Sequence, residues 1–138
     1  MGRTVHKLPA EAESSVSVFG ISSHENGYRV SWAINQALGM HFAASEDHIV
    51  TSKDGSTRPF PCYKYLHENG NTIYRLLSNR CDNGFMLEEY RTIDFIIVVE
   101  NEESIVIQSL IPKIKSIPFI SAIFSIDYNA LKNKKRLL

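Results

Sequence analysis

Five consecutive large apolar residues, Phe95-Ile96-Ile97-Val98-Val99, stand between two carboxylates, Asp94 and Glu100. A run that is apolar on both alternating faces predicts a strand covered on both sides, and so the central strand of a sheet. Towards the N-terminus, Ser14 to Ile21 alternates small polar with apolar residues and predicts a first strand. Ser22 to Gly39 then predicts a helix. Ser22 and Glu25 fit a capping box, Tyr28, Trp32 and Ala33 follow helical rows, and Ile34, Ala37 and Leu38 widen the apolar side. Gly39 suits the left-handed residue that ends a helix. Trp32, the only tryptophan, is expected to anchor the helix on the sheet.

The middle third reads as an antiparallel meander. His41-Phe42 starts a strand, Ser45-Glu46-Asp47 turns, and His48 to Thr51 has strand character. Asp54-Gly55 and Asn69-Gly70 are hairpin turn signals, because both supply residues tolerant of positive φ. Phe60 to Leu66 lies between them and should be an edge or bulged strand, since Pro61 cannot donate to a ladder. Thr72 to Ser78 is its partner. Beyond the central strand, Asn101 is a candidate helix cap, followed by Glu102 and Glu103 at the positive end of the dipole. Val106, Ile107, Leu110, Ile111, Ile114 and Ile117 form a helical stripe, which Pro112 should kink or divide and Pro118 stops. Phe119 to Ile126 is the last strand, with Ile120, Ala122, Phe124 and Ile126 on one face. Asp127 caps a short helix from Tyr128 to Leu131.

This order predicts an α+β fold: a mixed or antiparallel sheet of five to six strands with two main helices on one face and a short C-terminal helix. The closest simple architecture is a ferredoxin-like split βαβ with an enlarged central meander. Residues 1–13 form a lead-in, 14–131 a single domain and 132–138 a basic tail.

Composition narrows the function classes. Fifteen Lys+Arg balance fifteen Asp+Glu, so no global basic field argues for nucleic acid. Cys62 and Cys81 have neither the count of a disulfide framework nor the spacing of a zinc site, which predicts two reduced thiols in a cytoplasmic protein. The N-terminus lacks the apolar region of a signal peptide, and no apolar run is long enough to span a membrane. Met1-Gly2 lacks the Ser or Thr of a myristoylation motif. No cofactor is implied.

The segment Leu87-Glu88-Glu89-Tyr90-Arg91-Thr92-Ile93-Asp94-Phe95 resembles the signature of the IPExxxVDY family of small bacterial proteins. Glu89 and Asp94 match literally; Leu87, Ile93 and Phe95 replace Ile, Val and Tyr, and Glu88 replaces the proline. Gly20-Ile21-Ser22-Ser23, Tyr28-Arg29, Trp32-Ala33-Ile34-Asn35, Leu77-Ser78-Asn79-Arg80 and Gly84-Phe85 also look like that family, so the likeness runs from about residue 14. It implies a cytosolic protein of Bacteroidetes-type bacteria and assigns no activity.

The loop Asn79-Arg80-Cys81-Asp82-Asn83-Gly84, followed by Glu88 and Glu89, is the best candidate site. Arg80 can grip a carboxylate or phosphate bidentately, while Asn79 and Asn83 can orient a ligand, and Asp82 belongs to the same candidate set. Glu89 and Asp94 could divide acid and base roles. The structural alternative is a turn in which Arg80 pairs with Glu89 or Asp94. The histidines show no metal spacing, although His48, Cys62 and His67 fall on adjacent predicted strands. Cys81 beside Arg80 lacks a placed histidine for a catalytic dyad. Lys132 to Arg136, with Tyr63, Tyr65 and Tyr74 on the meander, could hold RNA by charge and stacking. The expected function is a non-enzymatic protein-interaction module, self-associating through the Pro61 edge or the meander face. The alternatives are an RNA-binding accessory protein and an enzyme using Arg80, Glu89 and Asp94.

Overall fold

The computed structural model describes residues 16–82, 84–101 and 104–138. The first strand, β1 (Val16–Ser23), leads to helix α1 (Gly27–Leu38). Five strands follow: β2 (Ala43–Ala44), β3 (His48–Thr51), β4 (Thr57–Phe60), β5 (Cys62–Leu66) and β6 (Ile73–Ser78). A crossover carrying β7 (Arg80–Cys81), β8 (Gly84–Phe85) and a 3₁₀ turn (Glu88–Tyr90) reaches β9 (Phe95–Glu100). Helix α2 (Ser104–Lys115) and strand β10 (Ile120–Ile126) come next. Two 3₁₀ turns, Tyr128–Ala130 and Lys134–Leu137, complete the chain.

The main sheet is antiparallel throughout, in the order β10-β1-β9-β6-β5-β2. Its four strands β1, β6, β9 and β10 follow the split βαβ order, with β9 inserted between β1 and β6 and β10 on the far side of β1. The enlarged meander is the β2–β5 excursion between α1 and β6. β3 and β4 form a separate hairpin across Asp54-Gly55, where Gly55 takes φ 88°. Gly70 takes φ 80° in the β5–β6 turn. The α+β expectation holds, and the sheet is antiparallel rather than mixed.

β9 is central because both its edges and both its faces are occupied. It pairs with β1 and β6, and Phe95 to Val99 are all buried. On one face Phe95, Ile97 and Val99 meet Val30 and Ile34 of α1 and Leu110 and Ile114 of α2. On the other, Ile96 and Val98 pack under Phe60 of the β3–β4 hairpin, Leu87 and Ile93 of the crossover, and Leu131 and Leu137 of the C-terminal turns. The helices thus share one face, and the β3–β4 hairpin, the crossover and the C-terminal turns close the second.

Several local expectations are corrected. β1 runs through Ser22 and Ser23, where the chain still pairs with β10, so Ser22 cannot cap α1. Asn26 does, accepting the Arg29 N–H on Oδ1 at 2.9 Å. Trp32 is 55% exposed because Val30, Ala33 and Ile34 form the row that meets the sheet. Pro61 divides the expected Phe60–Leu66 strand into β4 and β5. Asn101 takes φ 67°, and its carbonyl accepts the Thr72 hydroxyl at 3.0 Å, tying β9 to the β5–β6 turn; the expected cap of α2 runs through 102 and 103, outside the described residues. α2 continues through Pro112 as one helix.

The register of β10 shifts between the pairs Ser22–Ala122 and Ser23–Ile120. One extra residue there changes the phase, so Ile120 packs with the helices and Ile126 packs on the opposite face. They do not share the single face that strict alternation predicts. Residues 132–138 are not a solvated tail either: Leu137 is fully buried, and Arg136 Nη1 donates to the Met86 carbonyl at 3.2 Å.

Candidate functional site

The crossover from β6 to β9 is organised by Asn79. Its side chain is completely buried, with Nδ2 donating to the carbonyls of Tyr90 at 2.8 Å and Ile93 at 3.0 Å. Its Oδ1 accepts the Leu87 N–H at 2.8 Å. The backbone N–H donates to Asp94 O, and the carbonyl accepts from Met86 N–H. Asn79, expected to orient a ligand, is therefore spent on the loop itself. A short amide with donors and acceptor in one plane is suited to bridging three peptide groups where no strand ladder can.

Arg80 and Asp94 do come together, with Nη2 3.2 Å from Oδ1. The guanidinium lies over the Phe85 ring at 5.4 Å and donates to the Arg91 carbonyl at 3.3 Å. Arg91 shares the same ring at 5.3 Å and pairs with Glu88 at 3.0 Å. The second oxygen of Asp94 accepts the Ser23 N–H at 2.8 Å. Glu89 is engaged elsewhere, accepting the Lys132 N–H at 3.3 Å. Asp82 lines an open cleft of about 590 Å³ with Asp47, Thr57, Pro59, Pro61, Arg80 and Cys81. Asn83 lies outside the described residues.

The other sequence candidates separate. His48 Nε2 faces the Arg136 carbonyl, and His67 Nδ1 accepts the Asn69 N–H at 3.1 Å. Among the described residues no group of three or more His, Cys, Asp or Glu could hold a metal. Cys62 and Cys81 are both reduced thiols. Tyr74 is buried, and Tyr65 stacks on it with ring centroids 5.4 Å apart. These rings belong to the helix-side core with Phe42, so they are not the exposed platform that stacking on RNA bases needs.

A surface absent from those expectations stands out on α1. Tyr28 is 71% and Trp32 55% exposed, one helical turn apart and therefore side by side. They border a cleft of about 450 Å³ with Asn26 and Arg29. A second cleft of about 390 Å³ runs from Tyr28 across Gly27 to Pro61, Tyr63, Ser78 and Phe95. Gly27 allows this: a Cβ there would sit 2.9 Å from the Tyr63 ring. Burial, with a smaller effect of Tyr28, pushes the Tyr63 hydroxyl above its ordinary pKa of 10.0. The sequence held one signal for this surface. Tyr28–Trp32 and Val30–Ile34 are two separate rows, and a helix packed on one side buries only one.

Among the described residues no helix is long and apolar enough to cross a membrane. Comparison of the chain with family models, curated proteins and solved structures gives no match.

Proposed function

We propose that this protein is a non-enzymatic interaction module of the cytoplasm that binds a protein partner through the Tyr28–Trp32 face of α1. The observation that carries this reading is the exposed Tyr–Trp pair beside two clefts. Large aromatics cost solvent-exposed apolar surface in the free protein, and they are the side chains that most often dominate partner binding. Two reduced thiols agree with a reducing compartment. The resemblance to the IPExxxVDY family supports a bacterial source. It also gains a physical reading, since its positions Leu87, Ile93 and Phe95 are buried and its Asp94 holds Ser23. Those residues support the fold, which leaves the binding role to the surface.

The test is affinity capture from the source cells with the intact chain, a Tyr28→Ala/Trp32→Ala variant and a Leu66→Ala control at another exposed apolar position. A partner retained by the intact chain and the control, and lost from the double variant, supports the reading. Equal capture by all three contradicts it.

A further inference from the structure

We infer that two copies of this chain join through the outer edge of β10, running their six-stranded sheets into one continuous antiparallel sheet. β10 pairs with β1 on one side, and among the described residues no strand pairs with its other side. Its seven residues, Ile-Ser-Ala-Ile-Phe-Ser-Ile, include no charge and no proline. An open edge of that length and composition offers unpaired N–H and C=O groups to another strand, and soluble proteins ordinarily blunt such edges.

The opposite edge shows what blunting looks like. β2 is only two residues long, and Ser45 donates both its N–H and its hydroxyl to the Cys62 carbonyl. Pro61 interrupts the strand on that side, and Lys64 is exposed on it. The Pro61 edge expected to mediate self-association is thus the closed one. With one edge closed and one open, pairing stops at two copies instead of growing into a filament.

The occupant is a second copy because β10 is complementary to itself. Antiparallel pairing of identical strands is isologous, so each copy offers the same groups that it receives. No charge on the strand repels its twin, and the chain's formal net charge is +0. Centred on Phe124, the pairing sets the two half-exposed Phe124 rings opposite each other, each beside a Tyr90 whose ring centroid lies 6.1 Å away. Cross-strand aromatic pairs of this kind stabilise antiparallel sheets. The irregularity lies at the Ser121 end, leaving Ala122 to Ile126 free to pair.

The test is sedimentation equilibrium of the full chain over a wide concentration range, with circular dichroism to confirm folding. The wild type should dimerise. Phe124→Lys, which places two like charges at the axis, should weaken the dimer by roughly tenfold or more. Ser125→Lys, an exposed change on the other face of β10, gives a second reading should Phe124→Lys fail to fold. Leu66→Lys near the closed edge and Trp32→Ala on α1 should leave the dimer intact, which separates this inference from the partner-binding face. A wild-type monomer at every concentration overturns it, whether residues 1–15 or a foreign strand cover the edge instead. A dimer indifferent to both β10 variants, or equally lost in Leu66→Lys, also overturns it.

Discussion

The Asp94 carboxylate accepts the backbone N–H of Ser23 at 2.8 Å, joining residues 71 apart in sequence. This bond holds the end of β1 against the start of β9, at the point where the chain leaves the sheet for α1. Arg80 meets the other oxygen from solvent. The two partners of Asp94 should therefore differ in worth. Asp94→Ala leaves the Ser23 N–H without its acceptor and should cost about 1–3 kcal/mol. Arg80→Ala removes a half-exposed ion pair together with the solvent-side contacts to Phe85 and the Arg91 carbonyl, and should cost less than the Asp94 change, about 1 kcal/mol. Urea denaturation of the two variants checks this order, and equal losses would place the weight on the ion pair.

Gly20 in the middle of β1 lies beneath Ile93. A Cβ there would stand 2.9 Å from Ile93 Cδ1 and 3.2 Å from Ile126 Cδ1. Alanine ordinarily improves on glycine inside a strand, but here it meets the fully buried Ile93, whose Cδ1 and Cγ2 would both have to give way. Gly20→Ala should destabilise by about 1–3 kcal/mol, as overpacking does. The thermal midpoint of the variant measures it, and a rise would show that Ile93 has room to move.

Leu137 near the C-terminus closes the sheet face opposite the helices. Leu137→Ala should cost about 2–4 kcal/mol through lost burial and the cavity left behind. The same substitution at exposed Leu138 should be nearly silent. Guanidinium denaturation of both compares them directly. Two silent variants would mean that the last turn does not pack.

Alkaline pH should weaken the fold through two tyrosines. Burial, with Tyr28 for Tyr63 and Glu100 for Tyr128, pushes both hydroxyls above 10.0. The folded protein then holds these protons at a pH where the unfolded chain has begun to release them. Their contribution is fully present below about pH 10 and declines as pH rises through the raised values. Tyr63→Phe cannot ionise and should show a shallower alkaline loss than wild type in denaturation midpoints between neutral pH and the alkaline limb. Parallel curves would exclude Tyr63 as a cause.

Particular residues show why much of the fold was legible and the site was not. Phe95 to Val99 announced a strand buried on both faces, and Asp54-Gly55 and Asn69-Gly70 announced hairpins, because these signals are local. Asn26 and Ser22 are both competent caps, and the choice fell to distant strands, β10 pairing with Ser22 and Asp94 holding Ser23. Lys132 to Arg136 reads as a tail because charge dominates the segment, although Leu131 and Leu137 on either side of it point inward. Arg80 was expected to pair with Glu89 or Asp94, and Asp94 holds it. Asn79 misled because an asparagine in a turn can serve a ligand or the backbone equally well, and its composition does not distinguish them. Trp32 misled because an apolar residue on a helix was read as core when its row faces away from the sheet.

The central claim assigns opposite roles to two residues, Asn79 to the architecture and Trp32 to the surface. Equilibrium urea denaturation of Asn79→Ala and Trp32→Ala, run side by side, tests it most directly. Asn79→Ala strands the Leu87 N–H and the Tyr90 and Ile93 carbonyls in the interior and should lose about 3 kcal/mol or more. Trp32→Ala should lose no more than about 1 kcal/mol, as exposed substitutions do. A large loss at Trp32 with little change at Asn79 would contradict the account.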